Sequence, residues 1–162
     1  MATQIQLRRG TTSQHSSFTG AAGEVTVDTD KDVAVVHDGS TAGGFPLAAI
    51  AKAQTFTAAQ RGTVSALTDG ATITPNFATA NNFSVTLGGN RTLANPTNLT
   101  AGQSGAIAIT QDGTGSRTLA FGSYWKFAGG TAPTITQSAV SVIAYYVESA
   151  TRITAQAILN VS

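Results

Sequence analysis

The sequence contains no cysteine, which rules out disulfides and thiolate metal sites and suits assembly in a reducing cytosol. Charge is scarce too: Asp, Glu, Lys and Arg make up 10% of the 162 residues, and the net charge is +1. After Arg8 and Arg9 the basic residues are scattered, so no basic stripe tracks a nucleic-acid backbone and no nucleic-acid partner is expected. Acids nearly vanish after residue 48, where only Asp69, Asp112 and Glu148 remain. Asp112 falls in a turn and Glu148 at a strand end, so nothing specific suggests two carboxylates facing each other across a groove for glycoside cleavage. No glycine loop leads into a helix with a lysine, so a phosphate cradle is lacking. The longest apolar run, Phe45 to Ala51, is interrupted by Pro46 and falls far short of the ~20 residues of a spanning helix. Met1-Ala2-Thr3-Gln4 has no basic region followed by an apolar core, so neither a signal peptide nor membrane insertion is expected.

Aromatic residues are also few, at 7%. With so few bulky side chains each protomer buries little apolar surface, worth ~25 cal/mol per Å², to set against its chain entropy. Oligomerisation is the expected remedy. Small and β-branched residues fill the composition instead, and these suit pleated sheets and tight turns, so the fold class reads as all-β.

What charge there is concentrates at the start. Residues 5–47 hold Arg8-Arg9 and five of the eight acids. Ile5-Gln6-Leu7 reads as a short strand running into Arg8-Arg9-Gly10. Glu24 to Thr29 alternates, with Val25 and Val27 expected inward and Thr26 and Asp28 outward. Asp30-Lys31-Asp32 makes a turn, Val33 to His37 returns as a second strand, and Asp38-Gly39 closes the unit.

These motifs carry a resemblance. IQLRRGT, then GEVTVDTDKDVAVVHDG and a terminal FPL, resembles the amino-terminal module of bacteriophage fibre and tropism-determinant proteins across residues 1–48. Such modules often place a tryptophan shortly after the Arg-Gly-Thr; here the nearest aromatic rings are His15 and Phe18. Further on, the stretch from Asn82 to Pro133, NFSVTLGGNRTLANPTNLTAGQSGAIAITQDGTGSRTLAFGSYWKFAGGTAP, resembles a carboxy-terminal β-domain of phage and prophage fibre proteins.

Three regions are expected. Residues 1–48 form a small β-hairpin or β-prism-like module for virion attachment and trimerisation. Residues 49–70 form a connector, either a sticky linker or short helices over Ala48 to Ala53 and from a Thr57 cap through Arg61. Residues 71–162 read as strands about ten residues apart with turn signals between them, which predicts an antiparallel β-sandwich of jelly-roll type. Ala139 to Ser149 and Arg152 to Val161 flank Ala150-Thr151 as a hairpin. Asn90-Arg91-Thr92-Leu93 and Ser116-Arg117-Thr118-Leu119 share an Arg-Thr-Leu core, too short to argue duplication.

Candidate sites are few. Asp28, Asp30 and Asp32 alternate like the opening of a calcium loop, but Val33 and Gly39 stand where that loop needs glycine and glutamate, so the acids read as a solvated hairpin tip and no metal or cofactor is expected. His15 and His37 lack the further ligands or nucleophile that metal binding or catalysis needs, which leaves structural roles or, for His37, a gathering of three copies around an axis. Trimer and attachment contacts are assigned to Arg8, Arg9, Glu24, Asp28, His37 and Asp38, with one arginine pairing to an acid of the hairpin. Tyr124, Trp125 and Lys126 either form a glycan-binding patch, or Trp125 and Phe127 turn into the core while Tyr124 and Lys126 face out. The chain thus reads as a non-enzymatic phage virion protein, a short homotrimeric fibre or spike that meets other virion proteins and aids adsorption to a host surface polysaccharide. The alternative is a capsid-decorating or adaptor protein without receptor binding.

Overall fold

The structure is a computed structural model and describes residues 6–48 and 58–161. It divides into two compact units, Met1–Ala59 and Gln60–Ser162. Their regular structure is almost wholly strand, and no helix among the described residues is long and apolar enough to cross a membrane.

In the first unit, β1 (Arg9–Gly10), β2 (Val25–Asp28), β3 (Val33–Val36) and β4 (Phe45–Pro46) form one sheet in that order. The β2–β3 hairpin follows the expected turn at Asp30 to Asp32, and Val25 lies opposite Val36. The expected strand at Ile5 to Leu7 is shifted: Ile5 lies outside the described residues and the strand is Arg9–Gly10, parallel to β2. A single helical turn, α1 (Thr12–His15), follows it. Thr11 caps this turn through Oγ1 and Gln14 reaches back to the Thr11 N–H, a reciprocal pair that satisfies two otherwise open donors.

The second unit departs from the antiparallel sandwich. The chain winds through two sheets by turns: β5 (Val64–Ala66) in a large sheet, β6 (Thr72–Ile73) in a small one, then β7 (Asn82–Leu87) large, β8 (Arg91–Leu93) small, β9 (Ser104–Gln111) large and β10 (Leu119–Phe121) small. Each new strand lies parallel to its predecessor in the same sheet, with Val64 opposite Asn82, Asn82 opposite Ala106, and Leu93 between Ile73 and Phe121. These are the rungs of a short β-solenoid. The glycine and asparagine turns expected to fold hairpins instead turn corners between sheets, because alternation places a residue on a face but does not say which strand lies beside it. The Arg-Thr-Leu pair is out of step with the winding, since Leu119 lies opposite Arg91. After β11 (Trp125–Lys126), the expected hairpin does form, as β12 (Val140–Ser149) and β13 (Arg152–Val161), antiparallel to each other, with β12 also antiparallel to β9. The large sheet then reads β11-β13-β12-β9-β7-β5.

The connector region contributes as well. β5 is the first strand of the large sheet, and Ala58 to Arg61 are irregular instead of helical. Residues 49–57, including the Thr57 cap, lie outside the described residues.

Between the two sheets lies one continuous core. Ile73, Leu93 and Leu119 of the small sheet face Phe83, Val85, Leu87, Ile107, Ile109 and Ile143 of the large one. Phe77 stacks on Phe83 and on Tyr145, with centroids 5.6 and 4.6 Å apart, and Trp125 meets Tyr145 edge-on. At the corners, Arg91 clamps Asp69 with two hydrogen bonds of 2.8 and 2.7 Å, and Arg117 clamps Asp112 in the same manner.

One backbone contact is tight enough to test. The Asn81 carbonyl accepts from the Tyr145 hydroxyl at 2.7 Å, and it can sit there only because residue 105 has no side chain. A Cβ at Gly105 would lie 1.7 Å from that oxygen. Gly105→Ala therefore forces β9 and the Asn81 turn apart, and thermal or urea unfolding should show a loss of roughly 3 kcal/mol. An unchanged midpoint would contradict this packing.

Candidate functional site

The interior of the first unit is polar, the reverse of the parity expected for β2. Thr26 and Asp28 are buried, with 0% and 2% of their surface accessible, while Val25 is exposed. The reason is a hydrogen-bond relay. His15, on α1, donates from Nδ1 to the Thr11 carbonyl at 3.0 Å, so its Nε2 is an acceptor. Thr26 Oγ1 donates to that nitrogen at 2.8 Å and accepts from His37 Nε2 at 2.9 Å. His37 Nδ1 then accepts from the Gly20 N–H at 3.3 Å. Every polar atom of the two rings and of the hydroxyl between them has a partner, which is the condition for burying such groups.

The glycines around His37 are a condition of this arrangement. A Cβ at Gly20 or Gly44 would fall 2.5 to 2.7 Å from the ring, and Gly44 also adopts φ +59°. Phe18 meets the same ring edge-on at 5.2 Å.

Asp28 is buried one step along the same face. Its Oδ2 accepts from the Thr12 hydroxyl at 2.7 Å and its Oδ1 from the N–H groups of Asp30 and Lys31 at 3.0 and 3.2 Å. Burial by itself would raise its pKa, but these donors and the nearby Lys31 charge outweigh that and hold the carboxyl below its ordinary value. The alternating acids are thus a self-capped turn, and Asp30 accepts from the Thr12 N–H at 2.9 Å. Asp38 closes its own loop, accepting from the N–H groups of Thr41 and Ser40 and from the Thr41 hydroxyl, which hold its carboxyl well below the usual range.

The arginine knot sits at the open end of this unit. Arg8 pairs with Glu24 at 3.0 Å, its guanidinium 4.9 Å above the Phe18 ring. Exposed as it is, that pair is worth under ~1 kcal/mol. Arg9 is exposed, makes no ion pair among the described residues, and with Arg8 lines a cavity of about 200 Å³ beside Gln14, His15 and Thr26.

With polar groups inside, the other face of the sheet is left apolar. Register places Val25 beside Val36, Val36 beside Phe45, Val27 beside Ala34, and Leu47 hydrogen-bonded to Ala34. Phe45 and Leu47 are 54% and 53% exposed.

In the second unit the residues expected as a glycan patch do not stay together. Trp125 is buried and donates from its indole N–H to the Ala94 carbonyl at 3.0 Å. Tyr124 packs partly against the core, and only Lys126 is exposed. Trp125 and, in part, Phe127 thus pack into the core, and Tyr124, which the second of the two sequence readings faced outward, is partly covered as well.

Comparison with known proteins bears on both units. Residues 5–41 match the family described as "Major tropism determinant N-terminal domain", and residues 73–148 match "Putative phage tail fibre C-terminal domain". Each unit is thus similar to a domain of phage fibre proteins, in line with the resemblance read from both halves of the sequence. Among individual proteins, the "Tail fiber receptor-binding protein" of Bordetella phage BPP-1 is 71% identical over 48 residues, which cover 30% of this chain and 13% of that one. Solved structures of the Major Tropism Determinant are similar in sequence: the I1 variant at 71% identity over 28% of this chain and 12% of its own (TM-score 0.28), the U1 variant at 32% over 88% and 38% (TM-score 0.29). The chain spans only a small part of the curated relative that it matches.

Two outcomes follow for the first unit. Thr26→Val keeps the shape but strands both imidazole nitrogens, so the unit should lose roughly 2–4 kcal/mol against denaturant, with a near-neutral result counting against the relay. Because the pKa values of Asp28 and Asp38 lie below their unfolded values, their contribution is present above pH ~4 and is lost as pH falls further. Melting temperatures followed from pH 6 to pH 2 should drop below pH ~4, and Asp28→Asn should flatten that drop.

Proposed function

We propose that this protein is a tail-fibre component that assembles as a homotrimer through its first unit and adheres to the bacterial surface through its second. The observation that carries the reading is the outer sheet face on which Val25, Phe45 and Leu47 are exposed beside the half-buried Val27, Ala34 and Val36. An apolar sheet face of this kind on a protein that is otherwise rich in Ser and Thr fits burial against copies of itself. Arg9, with no ion-pair partner in its own chain among the described residues, is the cation available to an acid of a neighbouring copy or another virion protein. Glu24 and Asp38 act from within the chain, and Asp28 and His37 act from the interior by setting which face of the sheet points out.

The pattern of similarity supports a division of labour. The receptor-binding relative is matched at 71% identity over 48 residues, 30% of this chain and 13% of that one, and the tropism-determinant amino-terminal model matches within residues 5–41. A common attachment and assembly module joined to a different distal domain accounts for this. The mechanism is adhesion without covalent chemistry: weak contacts repeated on three copies, and on several fibres, raise avidity far above the affinity of one site.

Light scattering behind size exclusion should give three times the 16.4 kDa protomer mass. Phe45→Asp, which sets an unpaired charge in the proposed contact, should weaken assembly by roughly 100-fold. A wild-type protein that runs as a single subunit would remove the trimer. Purified protein should also compete with the phage for host cells; failure to do so in a trimeric sample would favour the decorating or adaptor role.

A further inference from the structure

On the outer face of the large sheet, three neighbouring strands bring unlike side chains into one row. Lys126 of β11 lies opposite Thr154 of β13, and Thr154 lies opposite Tyr146 of β12. The next row pairs Gln156 with Ala144, whose small side chain leaves a trough beside the tyrosine. Tyr146 is 50% exposed, although Tyr145 next to it is buried. The trough encloses about 490 Å³, within the range of small-ligand sites, roughly 300–1,000 Å³.

Its charge balance leaves one cation over. Arg152 and Lys126 both line it. The acid on these strands, Glu148, is already held, by Arg152 Nε at 2.7 Å and by the Thr154 hydroxyl. Lys126 has no ion-pair partner among the described residues. An exposed aromatic face, a side-chain amide and an uncompensated ammonium therefore converge on one concavity. A sugar ring meets these demands when it carries a carboxylate: its C–H face lies on Tyr146, its hydroxyls reach Gln156, and its charge meets Lys126.

We propose that the trough between Tyr146 and Lys126 binds a carboxylate-bearing sugar of the host surface polysaccharide. This moves the saccharide contact away from Trp125 and keeps Lys126 from the sequence reading. It rests on the adhesive role of the second unit.

The test uses the full chain against a panel of uronate- and sialate-bearing oligosaccharides and their neutral counterparts, measured by calorimetry at low and high salt. Acidic members should bind at least about 10-fold more tightly than neutral ones, with affinity falling as salt rises. Tyr146→Ala should weaken binding at least about 10-fold, since an aromatic platform in a sugar contact dominates the buried area. Lys126→Gln, an exposed change that leaves the fold intact, should weaken acidic members selectively and flatten the salt dependence. Equal binding of acidic and neutral sugars, no binding of any acidic member, or indifference to Tyr146→Ala in a normally melting protein would overturn the proposal. A change of oligomeric mass in Tyr146→Ala without any sugar binding would reassign the trough to self-association. Host cells separate the two levels: Tyr146→Ala protein that adsorbs as well as wild type refutes the trough alone, whereas wild-type protein that does not adsorb refutes the adhesive role.

Discussion

A threonine hydroxyl that donates to one imidazole and accepts from another decides which way the first sheet faces. Once Thr26 is inside, period-two alternation puts Asp28, Val35 and His37 inside with it and turns Val25, Val27, Val36 and Phe45 to the outer face, where Val25 and Phe45 are exposed and Val27 and Val36 half-buried. A polar interior is acceptable only when each donor and acceptor is matched, and the relay from Gly20 through both rings to Thr11 matches them. The apolar outer face is then a consequence of the inner chemistry and needs no separate explanation. Self-assembly, as proposed, would convert that consequence into stability.

The two units meet the shortage of bulky side chains in different ways. The second has what the composition argued against, a continuous core from Ile73 to Ile153 closed by aromatic stacking. Winding rather than folding back achieves this, since each rung sets a large-sheet residue over the one before it and small side chains suffice outside. Stability through copies of itself, as proposed, would therefore matter more to the first unit than to the whole chain.

Strands were legible where alternation was strong: the β12–β13 hairpin stands within a residue of its sequence-derived bounds. Their partners were not. Parallel pairing depends on residues one rung away in sequence, with no repeated motif to announce it, and the one short repeat, Arg-Thr-Leu, proves out of register. In the first unit the Asp38 turn and the Asp30 to Asp32 hairpin followed from residue type and spacing, whereas the expectation of one arginine pairing with some acid of the hairpin did not say that the pair is Arg8 with Glu24. The parity of β2 did not, because hydrophobicity normally decides it and here a hydroxyl between two histidines does. A signal for α1 was present in Thr11-x-x-Gln14, a capping pair that spacing alone reveals.

Differences in burial between adjacent aromatics sharpen the functional reading. Tyr124 and Trp125, and Tyr145 and Tyr146, are neighbours in sequence, yet in each pair one ring closes the core more fully than the other. Trp125 and Tyr145 meet edge-on within the core, and Tyr145 fixes the Asn81 turn through its hydroxyl. That leaves Tyr146 as the half-exposed ring on a rigid sheet, held by β9 and β13 on either side. A ring presented from the middle of a paired strand loses little freedom when it contacts a ligand, unlike a ring on a loop, which must first be ordered. For a protein proposed to work through many weak contacts, that saving recurs at every copy, so the placement of one tyrosine on a strand is worth more to avidity than its contact area suggests.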